Sequence, residues 1–414
     1  MPPLASSTLG CTPAVTRPRW ALGLVLGLLF AASSGDRAVL GVLKTTLAGE
    51  FAFSQSDYAH LVVALLVPYA AAMALAGGVI NHFGPRSVLA ACVLAASGAI
   101  AWCGGAHNYG QVVGAQIVLG LAQAGIAPAI ACVILREFPA AAQASAYSIV
   151  NAIQSSATIL CPPFVAATTL WLGWRYAFYL PAAVGVLFAL LWWNASARWA
   201  ARQPGATASW ALGEALRELW RRPTTRRLVL ARMVSDPLWF FFQFWQPAYL
   251  REHVGLSLAD VGRIAWIPPL ASVAGVLAVS FLSDRLVKRG VSPVAARVRP
   301  LVWIAVLAPA ALALPLVRTA GPAIALAACV NVMCAAWLSL SAILLGALVP
   351  ARLLAPSLGA MSALGCVSGV FFSLLAGPLV ALSGYAWPFW IGALLYPAAA
   401  LVLRPVGRAA SAHG

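Results

Sequence analysis

Apolar stretches about 20 residues long recur along nearly the whole chain, separated by short polar segments. A helix needs about that length to cross a bilayer. The pattern predicts twelve membrane helices, centred on residues 19–43, 57–80, 86–105, 109–135, 143–170, 174–196, 228–251, 260–283, 299–317, 320–348, 355–382 and 385–404. The fold class is therefore an all-α membrane protein. The longest polar interruption, Ala197 to Arg227, divides the chain into a six-helix half at 17–197, a linker at 198–227 and a second six-helix half at 228–405. Residues 1–16 are rich in Pro, Ser and Thr and read as a disordered tail, and 406–414 form a second tail. Within the linker, Leu212, Ala215, Leu216, Leu219 and Trp220 recur at helical spacing opposite Glu214, Arg217, Glu218 and Arg221. That predicts a short amphipathic helix on the membrane surface, ended by Pro223, which tethers the halves while they rock.

The halves carry one device at one offset. Asn81-His82, in the turn from Gly77 to Arg86, is followed 203 positions later by Asp284-Arg285, in the turn from Ser280 to Gly290. Ser54 and Asp57 recur at the same offset as Ser257 and Asp260. Parallel repeats of this kind build many secondary transporters, and they predict two pseudo-symmetric six-helix bundles working by alternating access. Short basic turns also fix topology, and Gly84 and Gly290 permit tight ones. The repeat favours a further, gating role for Asn81, Arg86, Asp284, Arg285 and Arg289. An acid at a helix C-terminus opposes the helix dipole, so Asp284 needs a partner, and a latch of that kind closes in only one carrier state.

Composition agrees with the pattern. The 414 residues are 62% hydrophobic and 9% charged, with mean hydropathy +0.89, too few charges to cover a soluble surface. A net charge of +16 invites a nucleic-acid reading, but most of the basic residues fall at the termini or in alternate loops. The opposite loops hold only Lys44, Arg175, Arg251, Arg263 and Arg318. This positive-inside pattern predicts a multi-pass protein of a bacterial-type inner (plasma) membrane with both termini cytoplasmic, in contact with lipid and not with nucleic acid; a monomer is expected. The segment from Arg17 to Ser34 has the outline of a signal peptide, but cleavage there would leave eleven helices and break the repeat. The eight cysteines form no CxxC pair, and no His stands four residues from a Glu or another His. No metal, no cofactor and no enzymatic set of paired carboxylates or nucleophile and base is predicted.

Several stretches resemble a known family. The GxxxDRxGRR-like turn and its copy SDRLVKRG are similar to the signature of the major facilitator superfamily. Asp36-Arg37, LGLAQAG (Leu119 to Gly125), REFP (Arg136 to Pro139), NAIQSSATILCPP (Asn151 to Pro163), GWRYAFYLPAAVG (Gly173 to Gly185), DPLWFFFQFWQPAYL (Asp236 to Leu250) and AWIPP (Ala265 to Pro269) resemble its anion:cation symporter branch. The resemblance runs from about 17 to 405 and implies a carrier of hexuronates or other sugar acids. The family pattern places an Arg and a Glu seven residues apart in helix 4, whereas this chain has Gln116 and Gln123. The resemblance makes that Glu a proton carrier, and Gln does not titrate.

Asp36 and Arg37 interrupt an apolar run, and a charge inside the membrane costs about 2.5–3.5 kcal/mol on insertion scales. If helix 1 stopped at Ala32 both would be interfacial anchors. If helix 1 continues, Arg37 has no evident fixed carboxylate, and a substrate carboxylate is its natural bidentate partner. Asp36 is then the candidate proton carrier, or else a group that merely holds helix 1 in place. Polar residues on apolar helices complete the candidates: Tyr69, Gln154, Gln243, Trp337 and Ser339 for substrate, with Asn151 and Asn331 beside them. Interhelical hydrogen bonding is the plain alternative, at ~0.6 kcal/mol on average, or simple packing for Trp337. Asp236, just before Pro237, reads as a helix cap. The expected function is secondary active transport of a small organic anion, proton-coupled through Asp36. The alternatives are a uniporter or exporter of a less charged solute, and a transporter-like sensor.

Overall fold

The computed structural model describes residues 20–34, 36–138, 140–196 and 212–412, all helix or short connection. The first half comprises α1 (Trp20–Ala32), α2 (Asp36–Phe51), α3 (Gln55–Phe83), α4 (Pro85–Gly104), α5 (Tyr109–Ala124), α6 (Ile126–Glu137), α7 (Ala140–Leu172) and α8 (Tyr176–Ala195). After the linker helix α9 (Leu212–Arg221) come α10 (Pro223–Glu252), α11 (Leu258–Ile264), α12 (Ile267–Lys288), α13 (Pro293–Ile304), α14 (Pro309–Ala313), α15 (Ala320–Leu348), α16 (Ala351–Ser383) and α17 (Ala386–Ala412). Among the described residues, ten helical segments are long and apolar enough to cross a membrane. The other two predicted crossings depart from the pattern for physical reasons. The first is split into α1 and α2, and the seventh, α10, carries Arg232 and Asp236 within its length. The predicted helix at 299–317 is also irregular. It starts earlier, at Pro293, and passes through 3-10 turns at Ala305–Leu307 and Leu314–Leu316.

The repeat is visible in the caps. Ser54 caps α3 in a full capping box with Asp57, and Ser257 caps α11 by accepting from the Asp260 amide. Both serines also donate to the carboxylate of their partner, at 2.7 and 2.6 Å. At the opposite ends of these crossings Gly84 and Gly290 turn the chain with φ of +78° and +86°, a backbone that favours glycine. The end of the molecule that bears those two turns and most of the basic residues is the basic end. The other, which bears Ser54, Gly173, Gly255 and Gly384, is the far end.

The amphipathic linker helix does not lie free. Ala215 and Leu219 are fully buried, α9 packs on α10 and α16, and the Thr225 hydroxyl donates to the Leu219 carbonyl at 2.8 Å. The helix is therefore a fixture of the second half. At the far end the two halves touch closely. A Cβ on Gly41 of α2 would stand 2.8 Å from the Phe244 carbonyl oxygen, and one on Gly377 of α16 would stand 2.8 Å from Ala59. Tyr58 donates to the same Phe244 carbonyl at 2.7 Å.

Asp236 is not the cap that the sequence suggested. It lies a full helical turn past Arg232 inside α10, and the two side chains form a bidentate pair at 2.8 Å for both contacts. Each is 3% exposed, and Arg232 also donates to Ser341 of α15 at 3.0 Å. Removing one partner of such a pair costs about 3–5 kcal/mol, whereas replacing both with apolar groups is often neutral. Asp236→Ala is accordingly expected to lower the melting temperature in detergent sharply, and Arg232→Met with Asp236→Leu to recover most of the loss. Equal losses in the single and double variants would show that the pair does not act as a unit.

Candidate functional site

The first membrane crossing breaks near its middle, where Ser33 and Ser34, poor helix formers whose hydroxyls compete for backbone groups, follow the end of α1 at Ala32. A break releases carbonyls that a continuous helix would have paired. Ser33 returns its hydroxyl to the Leu29 and Phe30 carbonyls at 3.1 and 3.0 Å, and Ser34 donates to the Phe30 carbonyl at 2.6 Å. From the last turn of α5, Gln123 donates its Nε2 to the Ser33 carbonyl at 2.8 Å. The chain then restarts as α2 and runs to Phe51, so the expected loop at 44–56 shrinks and Lys44 lies inside a helix.

Around this break lies a cavity of about 230 Å³. Its polar wall is carboxamide and hydroxyl: Gln123, Gln154, Gln243, Gln246 and Asn331, with Ser33, Ser34, Tyr69, Thr158 and Ser272. Its apolar wall includes Phe30, Trp239, Phe242 and Pro247. Asn331 commits its amide nitrogen to Gln246 Oε1 at 2.9 Å and to the Ala327 carbonyl at 3.0 Å. Gln246 Nε2 is thereby left as a donor and Asn331 Oδ1 as an acceptor. Gln243 Oε1 is buried with no hydrogen-bond partner, which costs about 1–3 kcal/mol unless something donates to it.

Three of the predicted substrate residues, Tyr69, Gln154 and Gln243, come together here, joined by Gln123. Two do not. Trp337 is buried against Tyr396 at 5.3 Å between ring centroids, and Ser339, two residues on, is half-buried outside the cavity lining. Gln116 is also away from the cavity, donating to Cys103 Sγ at 3.6 Å. The backbone of Asp36 and Arg37 forms the first turn of α2, but their side chains, like that of Asn81, lie outside the described residues. Gln246 was missed by the sequence reading, although it stands three residues from Gln243 and so on the same helix face.

Among the described residues, the basic-end turns show no ion pair across the halves. Among the described residues, Asp284, Arg285 and Arg289 are exposed and form no ion pair. Arg86 binds within its own half, donating to Ser196 Oγ at 2.8 Å and to the Trp193 carbonyl at 2.6 Å while lying over the Trp193 ring at 4.3 Å.

Residues 25–330 match the sequence pattern of the Major Facilitator Superfamily. The chain belongs to the Major Facilitator Superfamily. Among curated proteins it is 28% identical over 294 residues to a probable L-galactonate transporter of Escherichia coli (strain K12), covering 66% of this chain and 64% of that one, just under two thirds of its length. It is 24% identical over 321 residues to a probable galactarate/D-glucarate transporter of the same organism, covering 69% of this chain and 71% of that one. Among solved structures, a D-xylose-proton symporter superposes with a TM-score of 0.72 at 18% identity, over 93% of this chain and 97% of that one. The superfamily fold read from the repeat and the turns is thus borne out.

Gln123 of α5 thus donates to a carbonyl freed by the break. An ionised carboxylate cannot donate. Gln123→Glu is therefore expected to lower the melting temperature at pH 8 and to recover it as pH falls and the carboxyl is protonated. Gln123→Ala should lose stability at every pH. A Gln123→Glu melting curve with no pH dependence beyond that of the parent would rule out this donor role.

Proposed function

We propose that the protein carries a sugar acid or a related small carboxylate across the inner (plasma) membrane by alternating access of its two halves, with the basic end in the cytoplasm. The observation that carries this reading is the convergence of five carboxamides on a broken helix at mid-depth. Carboxamides and hydroxyls read the hydroxyl groups of a polyol acid by donor and acceptor pattern. The anionic group is accommodated at the restart of the broken helix. There the N-terminal end of α2 has its positive dipole end, and Arg37 in its first turn supplies a planar fork for a carboxylate. The names of the relatives, which include carriers of galactonate and of galactarate or glucarate, support the same substrate class. The crossing contacts at Gly41, Tyr58 and Gly377 support a state closed at the far end.

Uptake of labelled L-galactonate, D-glucarate and D-galacturonate into proteoliposomes tests the reading. At least one should be transported, and Gln243→Ala should raise its KM about tenfold, the scale of one buried hydrogen bond to a ligand. Absence of uptake for the whole sugar-acid panel would remove the proposal. Sidedness is tested separately. A cysteine at Gly290 should label only from the cytoplasm and one at Gly255 only from outside, and the reverse would overturn the orientation.

Coupling to protons would rest on Asp36. Asp36→Asn is expected to abolish accumulation driven by a pH gradient while sparing exchange, which needs no net proton release. A second reading, uniport, is favoured by the amides at Gln116 and Gln123, which cannot titrate. Undiminished accumulation in Asp36→Asn would remove Asp36 as the carrier of protons.

A further inference from the structure

We infer that Lys44 serves two counter-ions in turn, Glu252 while the far end is closed and the carboxylate of an arriving substrate once it opens. The inference rests on the proposed sugar-acid reading and adds a docking step outside the cavity.

Lys44 stands in the third turn of α2 and is 1% exposed. Its Nζ lies 3.1 Å from Glu252 Oε1, donates to Gln55 Oε1 and reaches the Tyr385 hydroxyl at 3.4 Å. Aromatic faces enclose the remaining side, with Trp245 at 4.3 Å and Tyr58 at 4.9 Å from the ammonium to the ring centroids. Such faces favour a cation electrostatically. Glu252, at the end of α10, accepts from the Tyr385 hydroxyl at 2.8 Å and from Gln55 Nε2 at 3.2 Å.

Ownership of these groups decides what opening does. Lys44, Gln55 and Tyr58 belong to the first half, whereas Glu252, Trp245 and Tyr385 belong to the second. Parting the halves at the far end leaves Glu252 with its tyrosine donor. It leaves Lys44 with Gln55 and Tyr58 but with no carboxylate. Neighbouring cations do not replace it in the pair. Arg251 points to Thr46 Oγ1 at 3.3 Å, and His253, beyond the end of α10, is held below its usual pKa first by burial and then by Arg318. An unpaired ammonium in an aromatic recess attracts an anion. Lys44 is eight residues along α2 from Asp36, about 12 Å at the helical rise, so an anion held there waits directly above the cavity. When the halves close again Glu252 competes for the same ammonium and releases the carboxylate inward.

The test uses the full chain in proteoliposomes, lacking its native cysteines, with a reporter cysteine at Ala59 and with L-galactonate and D-galacturonate as probes. Lys44→Gln and Glu252→Gln should each raise labelling of the reporter by an impermeant thiol reagent severalfold, because each removes the lock. Only Lys44→Gln should raise KM, about tenfold, while Glu252→Gln changes kcat with KM unchanged or lower. The swapped pair Lys44→Glu with Glu252→Lys should restore the low labelling but not the low KM, since the docking charge at position 44 is reversed. Where Lys44→Gln folds poorly, Lys44→Met preserves the packing of the stem and serves instead. Equal KM increases in Lys44→Gln and Glu252→Gln, or a swapped pair with parental KM, would reduce the cluster to a lock and overturn the docking step. Unchanged labelling in both single variants would overturn the lock as well. A parent that transports neither anion would overturn the docking step together with the sugar-acid reading, whereas failure of docking alone leaves parental transport intact.

Discussion

The broken first crossing is the constraint on which the centre of this molecule depends. Inside a bilayer, irregular backbone is tolerated only where it is buried in protein or faces a cavity. The cavity therefore sits where α1 stops, and the groups nearest the break are those that answer its freed carbonyls: Ser33, Ser34 and Gln123. The restart sets a helix N-terminus just after the break, and it allows α2 to run on to Phe51. That extension places Lys44 in a helix facing α10 rather than in a solvated loop. One short run of poor helix formers thus sets the polar floor of the cavity and lets a helix carry Lys44 to the far end of the molecule.

Two ion pairs, one buried on both sides and one joining the buried Lys44 to the exposed Glu252, show how placement decides the role of a charge pair. Arg232 and Asp236 lie on one helix, so no rocking of the halves can part them, and their desolvation cost is offset in every state. Their setting is tight as well as dry, since a Cβ on Gly365 would stand 1.9 Å from Asp236 Oδ2. Lys44 and Glu252 lie on opposite halves, so the far end cannot open without separating them. Because a buried charge left without its partner is costly, the first pair contributes to the fold of the second half, and on the proposed reading the second, through the buried Lys44, contributes to the balance between carrier states.

Much of this was legible in the sequence, and what was not has identifiable causes. Spans, turns and the Ser54 and Ser257 caps follow from local patterns with a fixed offset, because length, capping and glycine turns are local physics. The helix break was only half legible, because an end at Ala32 was one of two readings and the apolar residues beyond Arg37 let the hydropathy pattern run on through it. Asp236 looked like a cap because Pro237 follows it, but proline also occurs within the long membrane helices α3, α7, α10 and α16. Its partner stands one turn earlier, a spacing the i,i+4 rule provides for. Trp337 looked like a ring platform for a sugar, yet which face of α15 meets the cavity is a tertiary fact, and Asn331 takes that place instead. Lys44 and Glu252 are 208 residues apart, and nothing local in either segment points to the other.

The composition of the cavity bears on how selection is divided. Carboxamides hold one donor and acceptor pattern at any physiological pH, and the Asn331–Gln246 bond fixes which end of each amide faces inward. A site built to hydrogen-bond a hydroxyl rejects an analogue lacking it far more strongly than an apolar pocket rejects a missing methylene, since its own buried groups are then left unpaired. Gln243 Oε1 is such a group already. Choice among polyols falls, on the proposed reading, to the amides of α7, α10 and α15. On the proposed reading, choice of a carboxylate over a neutral sugar falls to the charged restart of α2 and to Lys44 above it. Hydroxyl pattern and charge are then read by different elements, and either specificity could change without rebuilding the other.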